Sequence, residues 1–182
     1  MLAEAGASIE RFFASGVVEL KVKLGPINWQ FMPTKKFDPD DFAAFLNFLP
    51  KSYSGCSLRH VVEVRHDSFR TPEFIALARE AGVAVVLAAD SPHPQIADLT
   101  APFVYARIMG ARETEKLGYS DAELDLWAAR AKTWASGGEP EGVDRMDPAR
   151  DEGRPRDVYL YFIGGEKVLN PTAAMALIGR LG

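Results

Sequence analysis

Sulfur chemistry is nearly absent from this chain of 182 residues: Cys56 is the sole cysteine. That excludes an intramolecular disulfide and the paired thiolates of a structural zinc cage. A reducing cytoplasm fits such a composition. Long apolar runs are missing as well, since nothing approaches the roughly 18 residues that cross a bilayer. The opening Met-Leu-Ala-Glu-Ala-Gly carries an acidic residue and no basic flank, so neither a membrane span nor a signal peptide is expected. Nor is there an excess of positive charge. The formal net charge is -4 and the pI about 5.4, which speaks against a broad cationic footprint for nucleic acid or an anionic membrane, although a local basic cluster in a cleft survives that average. A Gly-rich phosphate loop, a GxSxG elbow, HExxH and CxxC are all lacking, which removes P-loop kinases, Rossmann dehydrogenases, serine hydrolases and zinc proteases.

What is present is ordinary globular material, 47% hydrophobic and 25% charged, enough for one core and one domain over 1–182. Apolar residues Ile9, Phe12, Phe13 and Val17 recur at helical spacing over 8–20, with Ser8 placed as a cap. LGPINWQF at 24–31 predicts a strand that Pro33, Lys35 and Lys36 end in a loop. Phe42, Phe45, Leu46 and Leu49 form one helical stripe after Asp38 and Asp40, stopped by Pro50. HVVEVR at 60–65 is a short β-branched strand. Thr71 and Pro72 open the next helix, which Gly82 stops. Strands come next at 83–88 and 103–109. Ser120 and Glu123 form a capping box for a helix over 121–135. Residues 139–156, rich in Pro, Gly and charge, predict a long surface loop, mobile in part. A last strand at 157–163 precedes a helix that starts at Pro171.

The order is therefore α-β-α-β-α-β-β-α-β-α. Its strands are apolar on both faces and joined mostly through helices, which predicts an α/β parallel sheet with right-handed crossovers. Doubly wound and barrel folds both satisfy that pattern, and periodicity does not separate them.

Several segments taken in order, KLGPINWQFMPTKKFDPDDFAAFLNFLP, VEVRHDSF, YARIMG with GYSDAELDLWAARAKTWA, and DVYLYFIGGEKVLNPTAAMAL, resemble the DUF72 (YecE-like) family, and the resemblance runs over nearly the whole chain. It implies a TIM-type (β/α) barrel of eight parallel strands, in which these would be strands four to eight, without counterparts of the first three. It also implies two departures. Many members of the family carry His-Gly where this chain has Met109-Gly110, and polar Asn residues where it has Ile163-Gly164-Gly165. A partial barrel leaves two sheet edges unpaired, which invites dimerisation through them.

Sites of parallel barrels lie at the carboxyl ends of the strands, where alternate side chains point inward. On that rule Glu63, Arg65 and Arg107 are the catalytic candidates: Glu63 as acid or base, the two arginines as a bidentate clamp for phosphate or carboxylate. The structural alternative is an ion pair fixing the interior, because burying such charges unpaired costs several kcal/mol. Asn28, Gln30, His66, Asp90 and Tyr161 are candidates for substrate contact. Gln30 could equally hold its loop, His66 a turn, Asp90 a helix cap or turn, and Tyr159 with Tyr161 ordinary packing. His60 and His93 make no metal-ligand spacing with Asp90, so no metal is assigned and no cofactor is named. Trp127 and Trp134, seven apart on one helix, read as core. The resulting expectation is a protein of enzyme type binding a small anionic or phosphorylated substrate. The alternatives are a nucleic-acid module, in which Lys35, Lys36 and Arg112 meet phosphates and Trp29 or Phe69 stacks bases, and an inactive scaffold.

Overall fold

The computed structural model describes residues 1–148 and 153–182. Helix α1, Gly6–Ala14, begins two residues earlier than the apolar spacing suggested and stops at Gly16, whose φ of 95° no regular helix accepts. Residues up to Lys23 continue as 3-10 turns interrupted at Lys21. Ser8 is not a cap; its hydroxyl accepts from Arg11 instead. Strand β1, Ile27–Gln30, is shorter than 24–31 because Pro26 precedes it and the chain leaves the sheet after Phe31. Helix α2, Pro39–Asn47, is capped by Asp38.

Between α2 and the next long strand lies a hairpin that the apolar periodicity did not signal: β2, Ser52–Tyr53, pairs antiparallel with β3, Cys56–Ser57. Its turn is Ser54-Gly55, with both residues at positive φ, as tight hairpin turns demand. Next come β4, His60–Glu63, and helix α3, Pro72–Ala81, the latter capped by the Thr71 hydroxyl and ended by Gly82 at φ 67°. The strand expected at 83–88 is split into β5, Ala84–Val85, and β6, Leu87–Ala89. β7 is Phe103–Ile108, α4 Asp121–Ala135, β8 Asp157–Phe162 and α5 Asn170–Leu181.

Every pairing in the main sheet is parallel: β1 with β4, β4 with β5, β6 with β7, and β7 with β8. β5 and β6 are separated by Val86 alone, so one bent central segment joins the two halves. Its first half leans on β4, where the Val86 N–H donates to the carbonyl of Val62, and its second half leans on β7. Strands thus lie side by side in chain order. Trp29, Phe31, Val62 and Val64 pack with α1, α2 and α3 in one core; Ala89, Val104, Ile108 and Phe162 pack with α4 and α5 in another. Both cores lie on the same side of the sheet. The alternate residues Val61, Ala84, Val86 and Phe103, with Tyr105 and Tyr159, form a separate cluster on the opposite, inner side. Among the described residues β1 and β8 each have one paired neighbour in the main sheet.

Part of the segment 139–156 is tied to the rest of the fold. Asp98, almost wholly buried, accepts from the backbone N–H groups of Met146 and Asp147 at 2.8 Å each, and Arg79 pairs with Asp147 at 2.7 Å. Residues 149–152 lie outside the described residues.

Candidate functional site

Period-two alternation and parallel register bring five polar side chains to one end of the inner face. Gln30 is level with Glu63 across β1 and β4, and Asn28 sits two residues before it. Arg65 comes two residues after Glu63 on the same face. Arg107 lies two strands further on, in register with Ala88 of the central segment. Ala88 has only a methyl group there, so the Arg107 side chain passes over it to reach Glu63.

The result is a carboxylate with its lone pairs used up. Glu63 is completely buried. Its Oε1 accepts from Arg65 Nε at 3.0 Å and Nη2 at 2.8 Å; its Oε2 accepts from Asn28 Nδ2 at 3.0 Å and from Arg107 Nη1. Four donors fill roughly the four acceptor positions a carboxylate offers. Burial by itself would raise the Glu63 carboxyl, but the hydrogen bonds from Asn28, Arg65 and Arg107 prevail and hold it below its ordinary value. It is an anion at neutral pH, and its acceptor positions are taken by Asn28, Arg65 and Arg107, an arrangement that orients both guanidiniums.

Gln30 Oε1 ties the two guanidiniums together, accepting from Arg65 at 2.9 Å and Arg107 at 3.0 Å. Two cations against one anion leave the cluster with a surplus positive charge. Each arginine side chain remains about one-fifth exposed. Arg65 Nη1 and Arg107 Nε and Nη2 donate to no group among the described residues. Tyr161, level with Arg107, is 40% exposed and lies 4.9 Å between ring centroids from Tyr105. Burial, then the neighbouring Tyr161, push the Tyr105 hydroxyl up to about 12. At the opposite end of the inner face Arg59 stacks over Tyr159 at 5.0 Å and pairs with Asp157 at 2.8 Å, bridging β4 to β8.

Two predicted residues are elsewhere. His66 Nδ1 accepts from the Ser68 N–H at 3.1 Å and meets the Ser68 hydroxyl at 2.9 Å, capping the turn Asp67–Phe69. Asp90, at φ 54°, lies beside α4 rather than the arginine cluster. Its carboxyl is raised by burial, against a hydrogen bond from Trp127. Gly110 is confined by this arrangement, since a Cβ there would come within 2.7 Å of the Asp90 Cβ. Gly165 is confined likewise: a Cβ would lie 2.6 Å from the Ala111 carbonyl oxygen.

Of the groups named for a nucleic-acid surface, Lys36 is exposed and the others are engaged within the fold. Lys35 is paired with Asp41, and Arg112 with Glu123 at 2.6 Å. Phe69 is wholly buried, and Trp29 packs under α1 with its indole N–H donated to His60. Among the described residues no three His, Cys, Asp or Glu side chains gather as a metal site, and no helix is long and apolar enough to cross a membrane. His93, to which the sequence assigned nothing, is close enough to Arg65, Glu63 and Arg107 to feel their charges. A histidine between two prolines just past a strand's carboxyl end was the signal available for it.

These features define a parallel α/β protein, helices on one side of the sheet, with a cationic cluster at the strands' carboxyl ends. The chain belongs to the DUF72 family, described as "Protein of unknown function DUF72", whose model matches residues 1–182. Among solved structures it is similar to a DUF72 family protein from Thermotoga maritima MSB8, at 19% identity and TM-score 0.65 over 97% of this chain and 64% of that one. It is also similar to a DUF72 family protein from Enterococcus faecalis V583, at 14% identity and TM-score 0.68 over 97% of this chain and 66% of that one. At such identities the likeness speaks for the fold alone. The chain spans about two thirds of these proteins' length. No curated protein matches it.

Proposed function

We propose that the inner face belongs to a TIM-type barrel, with these strands as the fourth to eighth, and that the Arg65–Arg107 pair binds a small anionic or phosphorylated ligand at their carboxyl ends. The fold part of this reading is supported by strands in chain order and helices confined to one side, where a doubly wound sheet would be covered on both. The ligand part rests on one observation: two partly exposed guanidiniums, held rigid by one saturated carboxylate, keep unused N–H donors that face solvent. Arginine donors fixed in advance suit the planar, multidentate recognition of phosphate or carboxylate, and rigidity lowers the entropy lost on binding. Glu63, Gln30 and Asn28 are positioning residues, and Tyr161 offers a ring at the rim. Against the nucleic-acid alternative stand Lys35, Arg112, Trp29 and Phe69, engaged within the fold, while Lys36 stays exposed.

The test is thermal unfolding with inorganic phosphate, sulfate, small dicarboxylates, neutral sugars and oligonucleotides. A dianion should raise Tm, and Arg65→Lys, which keeps the charge but loses the fork, should abolish most of the rise while still unfolding cooperatively. Saturation at a hundred times Kd corresponds to about 2.7 kcal/mol. A rise given by oligonucleotides alone and erased by salt would favour nucleic acid instead. No rise with any anion would end the reading.

A further inference from the structure

Three tyrosines lie along the inner face, and one of them is left out of its packing. Tyr105 and Tyr159 are level across β7 and β8, and both join the inner cluster of Val61, Ala84, Val86 and Phe103. Tyr161, two residues further toward the carboxyl end of β8, is not part of that cluster and is 40% exposed. Tyr105 braces its ring at 4.9 Å between centroids, with the planes tilted by 32°, and among the described residues no other aromatic ring packs on it. A tyrosine face is apolar and rich in π electrons, so a braced ring with an open side is a platform for a second flat ring. The platform also has a fixed place relative to the guanidiniums. Tyr161 is the register partner of Arg107 on the adjacent parallel strand, and the two side chains share a face. Arg107 runs away from it, over Ala88, to donate to Glu63 on β4. Neighbouring strands lie about 4.8 Å apart, so the arginine tips and the Tyr161 ring are separated by about two strand spacings, roughly 10 Å. A ring bonded directly to a phosphate is too short for both places; a ring joined to it through a spacer of several bonds reaches them.

We propose that the site takes a phosphate joined through a short spacer to a flat aromatic ring, as in a nucleoside monophosphate, with Arg65 and Arg107 on the phosphate and Tyr161 stacked on the ring. The inference rests on the anion reading above and adds to it the ring and its distance. The guanidiniums are fixed by Glu63 and Gln30, and Tyr161 is fixed by Tyr105, so both halves of the ligand meet surfaces that are already in place. Stacking accepts any flat ring, because every aromatic base has a π face. The platform therefore selects for the presence of a ring more than for its identity.

The probes are ribose 5-phosphate and adenosine 5-monophosphate, which share phosphate and sugar and differ in the base. Both affinities are measured by calorimetry at one pH and one ionic strength. The stacked base should make the nucleotide bind the wild type about tenfold more tightly than the sugar phosphate. Tyr161→Ala should bring the two affinities together, whereas Tyr161→Phe, which keeps the ring, should retain the difference. The adenine proton resonances should move upfield on binding to the wild type, under the ring current of the tyrosine, and should not do so with Tyr161→Ala. Phenyl phosphate, whose ring sits too near its phosphate, should gain nothing over inorganic phosphate; a gain equal to that of the nucleotide would overturn the spacing. Equal affinities for the two probes in the wild type, or a preference that survives in Tyr161→Ala, overturns the ring platform and leaves the arginine site standing. Absence of binding by both probes and by inorganic phosphate overturns the anion reading with it.

Discussion

At the scale of single residues, Glu63 decides whether the inner face is a packed interior or a site. A carboxylate buried beyond the reach of water survives only because Asn28, Arg65 and Arg107 saturate it, and those arginines keep their fixed poses only because it is there. Replacement of Glu63 by Gln removes the charge and turns an acceptor into a donor among donors. We expect Glu63→Gln to lower stability by on the order of 3 kcal/mol, the cost of leaving buried charge unpaired. The urea midpoint should fall at an unchanged slope. Because the folded Glu63 value is depressed, its contribution is fully present above the ordinary carboxyl value of 4.5 and is lost as pH falls through the folded value beneath it. The wild-type advantage over Glu63→Gln should therefore shrink in acid. Sulfate should rescue the variant more than it stabilises the wild type, since the freed guanidiniums have gained donors; equal stabilisation of both would count against the arginines as the anion's partners.

At the scale of elements, the best-read pieces were those whose boundaries are set by local chemistry. Ser120 and Glu123 cap α4 reciprocally: the Ser120 hydroxyl accepts from the Glu123 N–H at 3.3 Å, and the Glu123 carboxylate accepts from the Ser120 N–H at 2.8 Å. The bidentate grip of Arg112, with the Ser120 bonds, holds the Glu123 carboxyl at about 2. Ser120→Ala should cost about 1 kcal/mol in chemical denaturation; a loss near zero would mean that the Arg112 clamp alone fixes the helix end. The same reasoning from caps and stops recovered α3 between Thr71 and Gly82. It failed where tertiary contacts decide. Hydrophobic runs cannot show that the central strand switches its leaning from β4 to β7 at Val86, and Ser54-Gly55 marks a turn only if its short flanks are recognised as strands. The polar cluster was legible from alternation, because Glu63 and Arg65, two apart in an apolar strand, must share a face. That Arg107 crosses Ala88 to join them, and that Asp90 turns toward α4, depend on side chains packed across strands and helices.

At the scale of the whole molecule, titratable groups in both cores act together on acid stability. His60 accepts from the Trp29 indole N–H through Nδ1 at 3.1 Å, which assigns its Nε2–H to the Pro50 carbonyl at 2.8 Å. A second proton has no place in that arrangement. Burial lowers the ring's proton affinity, outweighing the Pro50 bond. The unfolded chain thus takes up protons first, and stability falls as pH drops below the ordinary histidine value of 6.5. Asp41, where burial is outweighed by Lys35 and by the Ala3 and Leu2 N–H groups, stands at about 2, as does Glu123. With Glu63 they carry stability that is present above the ordinary carboxyl range and disappears as pH falls toward 2. Asp90 and Asp98 work the other way, because burial raises both, so their protonation relieves strain and blunts the early part of that loss. The free energy of unfolding should therefore be level above about pH 7, dip as the histidines charge, and fall steeply below about pH 4. His60→Gln should shrink the first dip while lowering the plateau, since the amide can replace one of the two bonds. A pH profile of denaturant midpoints decides it: if the dip persists unchanged in His60→Gln, the first loss belongs to His93 or to the arginine cluster rather than to the core beneath α1.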